Sequence, residues 1–308
     1  MPKTFTTDRG DRTLRLDQIV VRHLTDVPRL SRTKVQRWIS QRLVVVNGHV
    51  ATRASAPIAG HARIEVSGDE AMAERALPQA EHQTLDILYE DPVLLALNKP
   101  AGIVVHPSYK HAAGTLFNGV LGYLGGDHAP ADAPRLLHRL DKDTSGVILI
   151  SKSIAAHRTA QRTMTSGHAS KQYLAVVHGS PRPGRGSITM PLGADLGDRR
   201  RMAVCTDGSP SHTDYEVLSR GSSMSVIRCE LRTGRMHQIR VHLSTRGWPI
   251  VGDHLYGAPG DPFPRQALHA WRLRLPHPVT GHPLDLSAPV PEDIAALCDR
   301  LAPAWREQ

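Results

Sequence analysis

The sequence of 308 residues has few cysteines, few aromatic residues and no long apolar run. Its three cysteines, Cys205, Cys229 and Cys298, lie far apart and include no CxxC pair, which argues against a disulfide framework or a cysteine zinc site. The longest apolar stretches fall well short of the roughly 18 residues that span a bilayer, and the N-terminus has no apolar signal segment. We therefore expect a cytoplasmic protein of about two domains with no membrane partner.

Several familiar enzyme motifs are also missing. The sequence contains no HExxH, GxSxG, GxxxxGK(S/T) or GxGxxG, which leaves metalloproteases, serine hydrolases, P-loop nucleotide hydrolases and dinucleotide enzymes unsupported. His237 and His242 are five residues apart and do not share a helix face, so a zinc site is disfavoured. Asp141 and Asp143 have no third ligand nearby, which makes a divalent-metal site a weak alternative.

Positive charge is in excess and unevenly distributed. The chain has 38 Lys and Arg against 29 Asp and Glu, a net charge of +9, which favours a polyanion such as nucleic acid as its partner. Residues 1–67 hold 12 basic and 5 acidic residues, and the acidic, Ala-rich stretch GDEAMAERALPQAEHQ follows. We interpret residues 68–84 as a linker between an N-terminal domain, 1–67, and a second domain, 85–308.

Two short amphipathic helices and a hairpin are predicted in the N-terminal domain. Apolar residues recur at helical spacing over 16–24 and 35–43, and Ser31 is the expected N-cap of the second helix. Asn47-Gly48 between valines predicts a type I′ hairpin, and residues 63–66 a closing strand. Basic side chains lie off the apolar stripe of the second helix: Arg32, Lys34, Arg37 and Arg42.

The order of these elements resembles the S4 RNA-binding domain over about residues 13–67, through the segments RLDQIVV and SRTKVQRWISQRLVVVNGHVATRAS. The resemblance implies that the basic face of the second helix binds RNA. From the residues alone, an amphipathic helix with a solvated basic face is the alternative. The chain departs from the S4 pattern at Arg42-Leu43, where a glycine-containing turn is expected.

From residue 85 onward the chain is dominated by strand-like stretches. They do not alternate strictly with helices, so we predict an α+β domain with a mixed, largely antiparallel sheet flanked by helices, not a doubly wound fold. Helical spacing is found mainly around 115–124, 153–166 and 235–245. The predicted strands are 85–91, 93–98, 146–151, 173–179, 214–219 and 224–231.

The densest group of polar residues is LLHRLDKDTSGVILI at 136–150, where a polar turn precedes an apolar strand. From the residues alone, two interpretations stay open: His138 and Asp141 form an acid–base pair, or the segment is a polar loop with an Asx-turn. A second group is LRTGRMHQIRVHLSTRGWPIVGDHLYG at 231–257. It predicts a helix that begins near Arg235 and carries His237 and Arg240 on one face.

Four segments together resemble the RluA-type pseudouridine synthases. They are NKPAGIVVHP, HRLDKDTSG, SKQYLAVVHG and TGRMHQIRVHL, the last followed by GDHLYG, and the match runs from about residue 85 to 290. With the S4-like N-terminus, the chain resembles the larger, ribosomal-RNA subgroup of that family. It departs from the family pattern at Ser211, where a small apolar residue is expected, and in the Pro-rich stretch 258–266.

The resemblance implies an enzyme that isomerises uridine in RNA to pseudouridine without a metal or nucleotide cofactor. Asp141 matches the catalytic aspartate, which attacks the sugar as a nucleophile or assists formation of a glycal. A carboxylate withdrawn from water needs a cation to stay ionised, and Arg240 occupies the family position for that ion pair. Tyr173 matches the active-site tyrosine, whose ring can stack on the uracil and whose hydroxyl can help remove the C5 proton.

Other residues near these motifs are expected to support the site. Arg139 is expected to fill the space that the flipped uridine leaves or to hold a phosphate. Leu140 and Ile239 are expected either to wall the uracil pocket or to pack in the core. Residues 199–201, all arginine, are expected to contact the RNA backbone or to lie in a solvated loop. Three residues at a strand end are interpreted as structural: Asn98, Lys99 and Pro100.

The expected partner is RNA, either 23S-type ribosomal RNA or a large-subunit assembly intermediate, with transfer RNA as the alternative. No obligate protein partner is expected. A non-catalytic RNA-binding or ribosome-assembly protein with the same fold is a second hypothesis. A carboxylate-based glycosidase is a third, and it would need a second carboxylate, for which Asp143 is the nearest candidate.

Overall fold

The computed structural model divides the chain into two compact units, residues 1–77 and residues 78–308. The residues that the structure describes are 2–11, 13–25, 27, 30–58, 60–67, 78–107, 111–125, 132–198, 200–257, 259–301 and 305. Of the predicted linker, residues 68–77 lie outside this set. The remaining residues of the predicted linker, 78–84, belong to the second unit. There the carbonyl of Gln79 accepts from the side-chain amide of Asn118 at 2.7 Å.

The described part of the N-terminal unit contains two α-helices and four strands: β1 Lys3–Thr6, α1 Leu16–His23, α2 Arg32–Ser40, β2 Val44–Val46, β3 His49–Val50 and β4 Arg63–Val66. The strands form an antiparallel sheet in the order β1-β4-β2-β3. The apolar stripes of both helices, with Leu16 and Trp38, form one buried core with the inward residues of β2 and β4. Ser31 caps α2 as predicted, since its Oγ accepts from the Lys34 amide at 3.3 Å.

Two turns for which the sequence makes a prediction use left-handed residues. The predicted Asn47-Gly48 hairpin is present, with the φ angles of 50° and 81° that a type I′ turn requires. Between α2 and β2, Arg42 has a φ of 62°, so an arginine takes the conformation for which glycine is preferred. The chain therefore differs from the S4 pattern in the residue at this position, but a turn is still formed there.

The described part of the second unit is built on a ten-stranded sheet with helices beside it. Its helices are α3 Leu116–Tyr123, α4 Ile154–Thr165, α5 Gln238–Thr245 and α6 Glu292–Leu301. Its strands are β5 Ile87–Glu90, β6 Leu94–Lys99, β7 Arg135–Leu136, β8 Ser145–Ser151, β9 Ser170–His178, β10 Arg185–Ile188, β11 Leu192–Ala194, β12 Met202–Val204, β13 Thr213–Arg220, β14 Met224–Leu231, β15 Leu268–Pro276 and β16 Pro283–Ser287.

The main sheet has the order β10-β13-β14-β9-β15-β8-β6-β5, with β16 paired to β15 and β7 to β8. Among the described strands, β15 and β8 form the parallel pair and the other pairs are antiparallel. Alternate residues of β8 enter different cores. Ile148 belongs to a core cluster that includes residues of α3 and α5, and Leu149 belongs to one that includes residues of α4. The predicted α+β class with a mixed, largely antiparallel sheet is confirmed.

The six predicted strands and three predicted helices of this unit are present, with ends shifted by no more than three residues. The helix expected from Arg235 begins instead at Gln238, because His237 has a left-handed φ of 55° that α-helix cannot contain. The sequence patterns did not predict α6 or six of the strands: β7, β10, β11, β12, β15 and β16. None of the described helices is long and apolar enough to cross a membrane.

Candidate active site

The candidate active site lies at the loop between β7 and β8, which carries the HRLDKDTSG segment. The loop turns at Asp141, whose carbonyl accepts from the Thr144 amide at 3.2 Å. At Gly146 the φ is 114°, and a Cβ would lie 2.1 Å from the Ala270 carbonyl oxygen. Any residue larger than glycine would therefore push β8 and β15 apart at the point where the loop ends.

Two cations from other parts of the chain hold the backbone of this loop. The Lys99 ammonium, fully buried at the end of β6, donates to three carbonyls, among them that of Lys142 at 2.8 Å. Burial lowers the pKa of Lys99 to about 8. Arg265 donates from Nη1 to the Asp143 carbonyl at 3.1 Å. The two residues that follow Asp141 are thus fixed by bonds from charged donors.

Asp141 is paired with Arg240 of α5, which is the ion pair that the family resemblance implies. The Nη1 atom of Arg240 donates to Asp141 Oδ2 at 3.0 Å. The other side of the guanidinium is held by Asp253, which accepts from Nε and Nη2 at 2.7 and 2.8 Å. The side chain of Asp253 is fully buried, whereas that of Asp141 is 21 % exposed. One guanidinium therefore joins a buried carboxylate to a carboxylate that reaches solvent.

These contacts keep the charges of the buried pair in place. Burial raises the pKa of Asp253, but the hydrogen bonds and charge of Arg240, together with the bonds from the Leu255 and Tyr256 amides, outweigh that effect and leave the pKa below its ordinary value. Burial also favours the neutral form of Arg240, yet its two aspartates hold the pKa of the guanidinium above the ordinary value. At Asp141, Oδ2 is bound, and no described residue donates a hydrogen bond to Oδ1. The free oxygen is therefore available to a substrate.

His237 and Tyr256 lie beside the same carboxylate. The Nε2 atom of His237 is 4.0 Å from Asp141 Oδ2, and Nδ1 is 2.8 Å from the Tyr256 hydroxyl oxygen. The guanidinium carbons of Arg201 and Arg240 each lie 5.1 Å from the centroid of the Tyr256 ring, within the range of a cation–π contact. Tyr256 therefore contacts the arginine that binds Asp141 and the histidine that faces it.

Tyr173 of β9 is 8 % exposed and belongs to the same core cluster as Leu140 and Ile239, both of which are buried. No described residue forms a hydrogen bond with its hydroxyl. Burial and the nearby charge of Asp141 raise the pKa of Tyr173, so the phenol stays protonated. An apolar ring with an unbonded hydroxyl therefore lies near the Asp141 carboxylate.

Two other polar residues of the loop, Arg139 and His138, differ in their hydrogen bonds. Arg139 is exposed, and no described residue bonds to its side chain. The Nε2 atom of His138 accepts from the Leu149 amide at 3.1 Å, and burial lowers the pKa of His138 to about 4. This ring is neutral and committed to the backbone, so the structure does not support His138 as the acid–base partner of Asp141.

The basic residues expected to bind RNA in the N-terminal unit lie on α2. Arg32 and Arg37 are exposed, and Arg32 reaches Asp17 at 3.5 Å. Lys34 is half-buried, with its ammonium 5.6 Å from the centroid of the Trp38 ring. Two guanidinium groups are therefore presented to solvent from one short helix.

The run of three arginines in the second unit is divided. Arg199 lies outside the described residues. Arg200 is exposed and pairs with Asp198 at 2.7 Å, while Arg201 turns towards the ring of Tyr256. Of the described members of the run, Arg200 is the exposed one, although it already has a carboxylate partner.

Within the described ranges, no set of three metal ligands is found near Asp141. A set of three is found in the N-terminal unit, where Asp8, Asp11 and His23 lie together. Arg22 already donates to both of these carboxylates, at 3.0 and 2.6 Å. The arginine supplies the positive charge that such a cluster needs, so this group is better described as an ion-pair network than as a metal site.

Sequence reasoning missed three residues that build the site: Asp253, Tyr256 and Arg265. The segment GDHLYG carries a turn pattern, and Asp253 does accept from the amides of Leu255 and Tyr256 at 3.0 and 3.1 Å. No local pattern indicates, however, that the same carboxylate also binds Arg240. Lys99 was interpreted as structural, and its bonds to three carbonyls agree with that interpretation.

Comparison with known proteins gives this geometry a family. Residues 93–245 match RNA pseudouridylate synthase, and residues 14–64 match the S4 domain. An uncharacterised RNA pseudouridine synthase of Bacillus subtilis is 41 % identical over 275 residues, 88 % of this chain and 89 % of the relative. Ribosomal large subunit pseudouridine synthase D of Nitrosomonas europaea is 40 % identical over 297 residues, 92 % of this chain and 83 % of that protein.

A solved structure agrees with the sequence relatives. Human RNA pseudouridylate synthase domain containing 1 aligns with a TM-score of 0.59 at 27 % identity, over 75 % of this chain and 98 % of that chain. The chain belongs to the RluA-type RNA pseudouridine synthases, enzymes that isomerise uridine in RNA, and has an S4 domain at its N-terminus. The family and the S4 domain predicted from the sequence are confirmed.

Proposed function

We propose that this chain converts specific uridines of large-subunit ribosomal RNA to pseudouridine, with Asp141 as the group that acts on the sugar. The observation that carries the proposal is the asymmetry of this carboxylate. Arg240 binds Oδ2 at 3.0 Å, and Oδ1 has no hydrogen bond from a described residue. A carboxylate that is oriented by a cation and keeps one oxygen free is suited to attack at C1′.

The reaction exchanges one bond of C1′ for another. In the covalent route, Asp141 Oδ1 bonds to C1′ while uracil departs with the electrons of the C1′–N1 bond. After the base rotates, C5 attacks C1′ and Asp141 leaves as a carboxylate. The proton on C5 is lost and N1 gains one, so the product is an isomer of the substrate. In the glycal route, Asp141 takes the C2′ proton and returns it when C5 bonds to C1′.

We assign Arg240 to the carboxylate of Asp141 and Tyr173 to the uracil base. Arg240 stabilises Asp141 whenever it is anionic, before attack and again as it departs. We assign the Tyr173 ring to stacking on the flipped uracil. Its raised pKa keeps the hydroxyl neutral, which favours stacking and hydrogen bonding over the role of proton acceptor. Leu140 and Ile239 are proposed to support that ring from the core.

The proposed RNA rests on the two domains and on the names of the relatives. Curated relatives from Nitrosomonas europaea and Pasteurella multocida are named ribosomal large subunit pseudouridine synthase D. Arg32, Lys34 and Arg37 are proposed to contact phosphates, which gives affinity with little sequence preference. Arg139, exposed beside the site, is proposed to fill the gap that the target uridine leaves, since extrusion costs a few kcal/mol. A ribosomal substrate agrees with the cytoplasmic location expected from the sequence.

The test uses cellular RNA labelled with tritium at uridine C5, incubated with the purified protein. Isomerisation expels the C5 hydrogen into water, so tritium release that disappears in Asp141→Asn supports the proposal. Release from 23S-type RNA or large-subunit particles, and not from transfer RNA, supports the substrate class. Release from transfer RNA alone would replace that substrate. No release from naked RNA or from subunits favours a non-catalytic RNA-binding protein, and free uracil would indicate a glycosidase.

A further inference from the structure

His237 lies next to the site, and its backbone is strained. Its φ and ψ are 55° and 19°, a left-handed conformation that is unfavourable for a residue with a Cβ. The surrounding bonds maintain it. The Gln238 side chain accepts from the Arg235 amide at 3.0 Å and from the Thr233 hydroxyl at 2.8 Å, and the His237 carbonyl accepts from Val241 in the first turn of α5. Strain that is maintained beside a reactive group points to a role for the side chain.

The hydrogen bonds of Tyr256 favour one of the two positions for the hydrogen on the neutral ring of His237. The Tyr256 oxygen accepts from the Met202 amide at 2.7 Å and lies 2.8 Å from His237 Nδ1. Its single hydroxyl hydrogen has Nδ1 as its acceptor among the described residues. The neutral ring then carries its hydrogen on Nε2, the nitrogen that lies 4.0 Å from Asp141 Oδ2.

The charges around His237 favour the neutral ring. Burial lowers the pKa of His237. The charges of Asp141 and Asp253 oppose this effect, and two guanidinium groups add to it. The groups that face the ring come from the loop before β8, from α5 and from the turn after it: Asp141, Arg139, Arg240, Asp253 and Tyr256. The pKa stays below its ordinary value, so the ring is neutral at neutral pH.

We propose that His237 is a positioning residue for Asp141: Tyr256 holds the ring so that its Nε2–H donates to Oδ2 when the carboxylate engages the sugar. Catalytic hydrogen bonds are often long before substrate binds and shorten in the complex, which a separation of 4.0 Å allows. Arg240 supplies the charge at the same oxygen, and His237 restricts the direction in which the free Oδ1 points. The catalytic part of this inference rests on the proposed function, whereas the arrangement of the hydrogen bonds does not.

The first test needs no turnover and uses the full chain labelled with ¹⁵N-histidine. The signals of His237 are assigned by comparison with His237→Gln. We expect a hydrogen on Nε2 at neutral pH, and a further fall of the His237 pKa in Asp141→Asn, because that change removes a charge that favours the protonated ring. A hydrogen on Nδ1, or a titration that Asp141→Asn leaves unchanged, overturns the proposal even if the protein modifies no RNA.

The second test compares two substitutions of His237, each of which keeps a polar atom at the position of only one ring nitrogen. In His237→Asn, the side-chain amide occupies the position of Nδ1, and asparagine tolerates the left-handed backbone. No atom of this side chain reaches the position of Nε2. The amide of His237→Gln reaches the place of Nε2. We expect kcat to fall about tenfold in His237→Asn with KM unchanged, and to return to within about threefold of wild type in His237→Gln.

Controls separate positioning from a general effect on the fold. His254→Gln changes an exposed histidine in the same turn as Asp253 and is expected to leave kcat and KM unchanged. Tyr256→Phe removes the hydroxyl that orients the ring and is expected to lower kcat less than His237→Asn. If both His237 variants lose kcat equally, or if neither does, the positioning role is wrong. If wild type releases no tritium, the proposed function fails, and the NMR result alone decides the arrangement around Asp141.

Discussion

In the N-terminal unit, Arg32 and Arg37 are exposed on α2, whereas in the second unit Lys99 and Arg240 are buried and bound to particular oxygen atoms. An exposed guanidinium exchanges counterions for phosphates, so it contributes affinity that falls with salt. A buried cation has already lost its hydration to its protein partners, so it fixes where those partners lie. Charges of the first unit should therefore affect RNA binding, and those of the second unit should affect turnover.

The largest effect is expected from Asp141→Asn, which keeps the shape of the side chain and removes its charge. Tritium release should fall below detection, because an amide neither attacks C1′ nor takes the C2′ proton. RNA affinity, measured by filter binding, should stay within about threefold of wild type. A lower thermal midpoint with unfolded protein would instead make Asp141 a structural residue and remove it from the comparison.

A smaller loss is expected from Asp253→Asn, which leaves Arg240 without its buried partner. Breaking a buried ion pair costs about 3 kcal/mol or more, and a displaced guanidinium no longer orients Asp141. We expect a fall of about 3 kcal/mol in the free energy of unfolding in urea and of about 100-fold in kcat. In the control Asp285→Asn, whose partners Arg272 and Arg274 are at the surface, stability should change by less than about 1 kcal/mol. A wild-type kcat in Asp253→Asn would contradict the dependence of Arg240 on this anchor.

The third expected effect concerns Lys99 and pH. Its pKa of about 8 lies below the ordinary value of 10.5, so folding disfavours the charged form. Between these values the unfolded chain binds the extra proton, and the contribution of Lys99 to the free energy of unfolding therefore rises with pH. Above about pH 8 the neutral amine has two hydrogens for three carbonyls, which loosens the loop at Lys142.

We therefore expect kcat of the wild type to decline as pH rises through about 8. Lys99→Met should have a kcat about tenfold lower at pH 7 and should lack this alkaline decline. The measurement is tritium release over a range of pH values for both proteins. An identical alkaline decline in the two proteins would show that another group titrates.

The smallest effect on turnover is expected in the N-terminal unit, when three residues of α2 are replaced together by glutamine: Arg32, Lys34 and Arg37. RNA affinity should weaken, and the slope of log K against log salt should decrease by about 0.7–0.9 for each phosphate that the variant no longer binds. The value of kcat at saturating RNA should not change. Arg274→Gln removes an exposed arginine that pairs with Asp285 and serves as the control. An unchanged salt slope in the triple variant would contradict the division between the two units.

What the sequence predicts depends on how far apart the interacting residues are. The Asn47-Gly48 hairpin and the Ser31 cap depend on neighbouring residues, and their patterns predict them. The pairing of Asp141 with Arg240 joins residues 99 positions apart, and it was accessible through the family resemblance alone. Asp253 was missed because its turn pattern contains no information about Arg240. At His237, helical spacing continues through the residue, yet its backbone is left-handed, so local periodicity predicted the wrong start of α5.

The place of β15 in the sheet has a consequence for the synthesis of the protein. This strand, Leu268–Pro276, lies between β8, which follows Asp141, and β9, which carries Tyr173. A growing chain therefore contains Asp141, Tyr173 and Arg240 before it contains the strand that sets the spacing of the first two. Enzymatic activity should begin only after β15 has been made. A product that stops before residue 268 would keep the exposed cations of α2 and lack a working site.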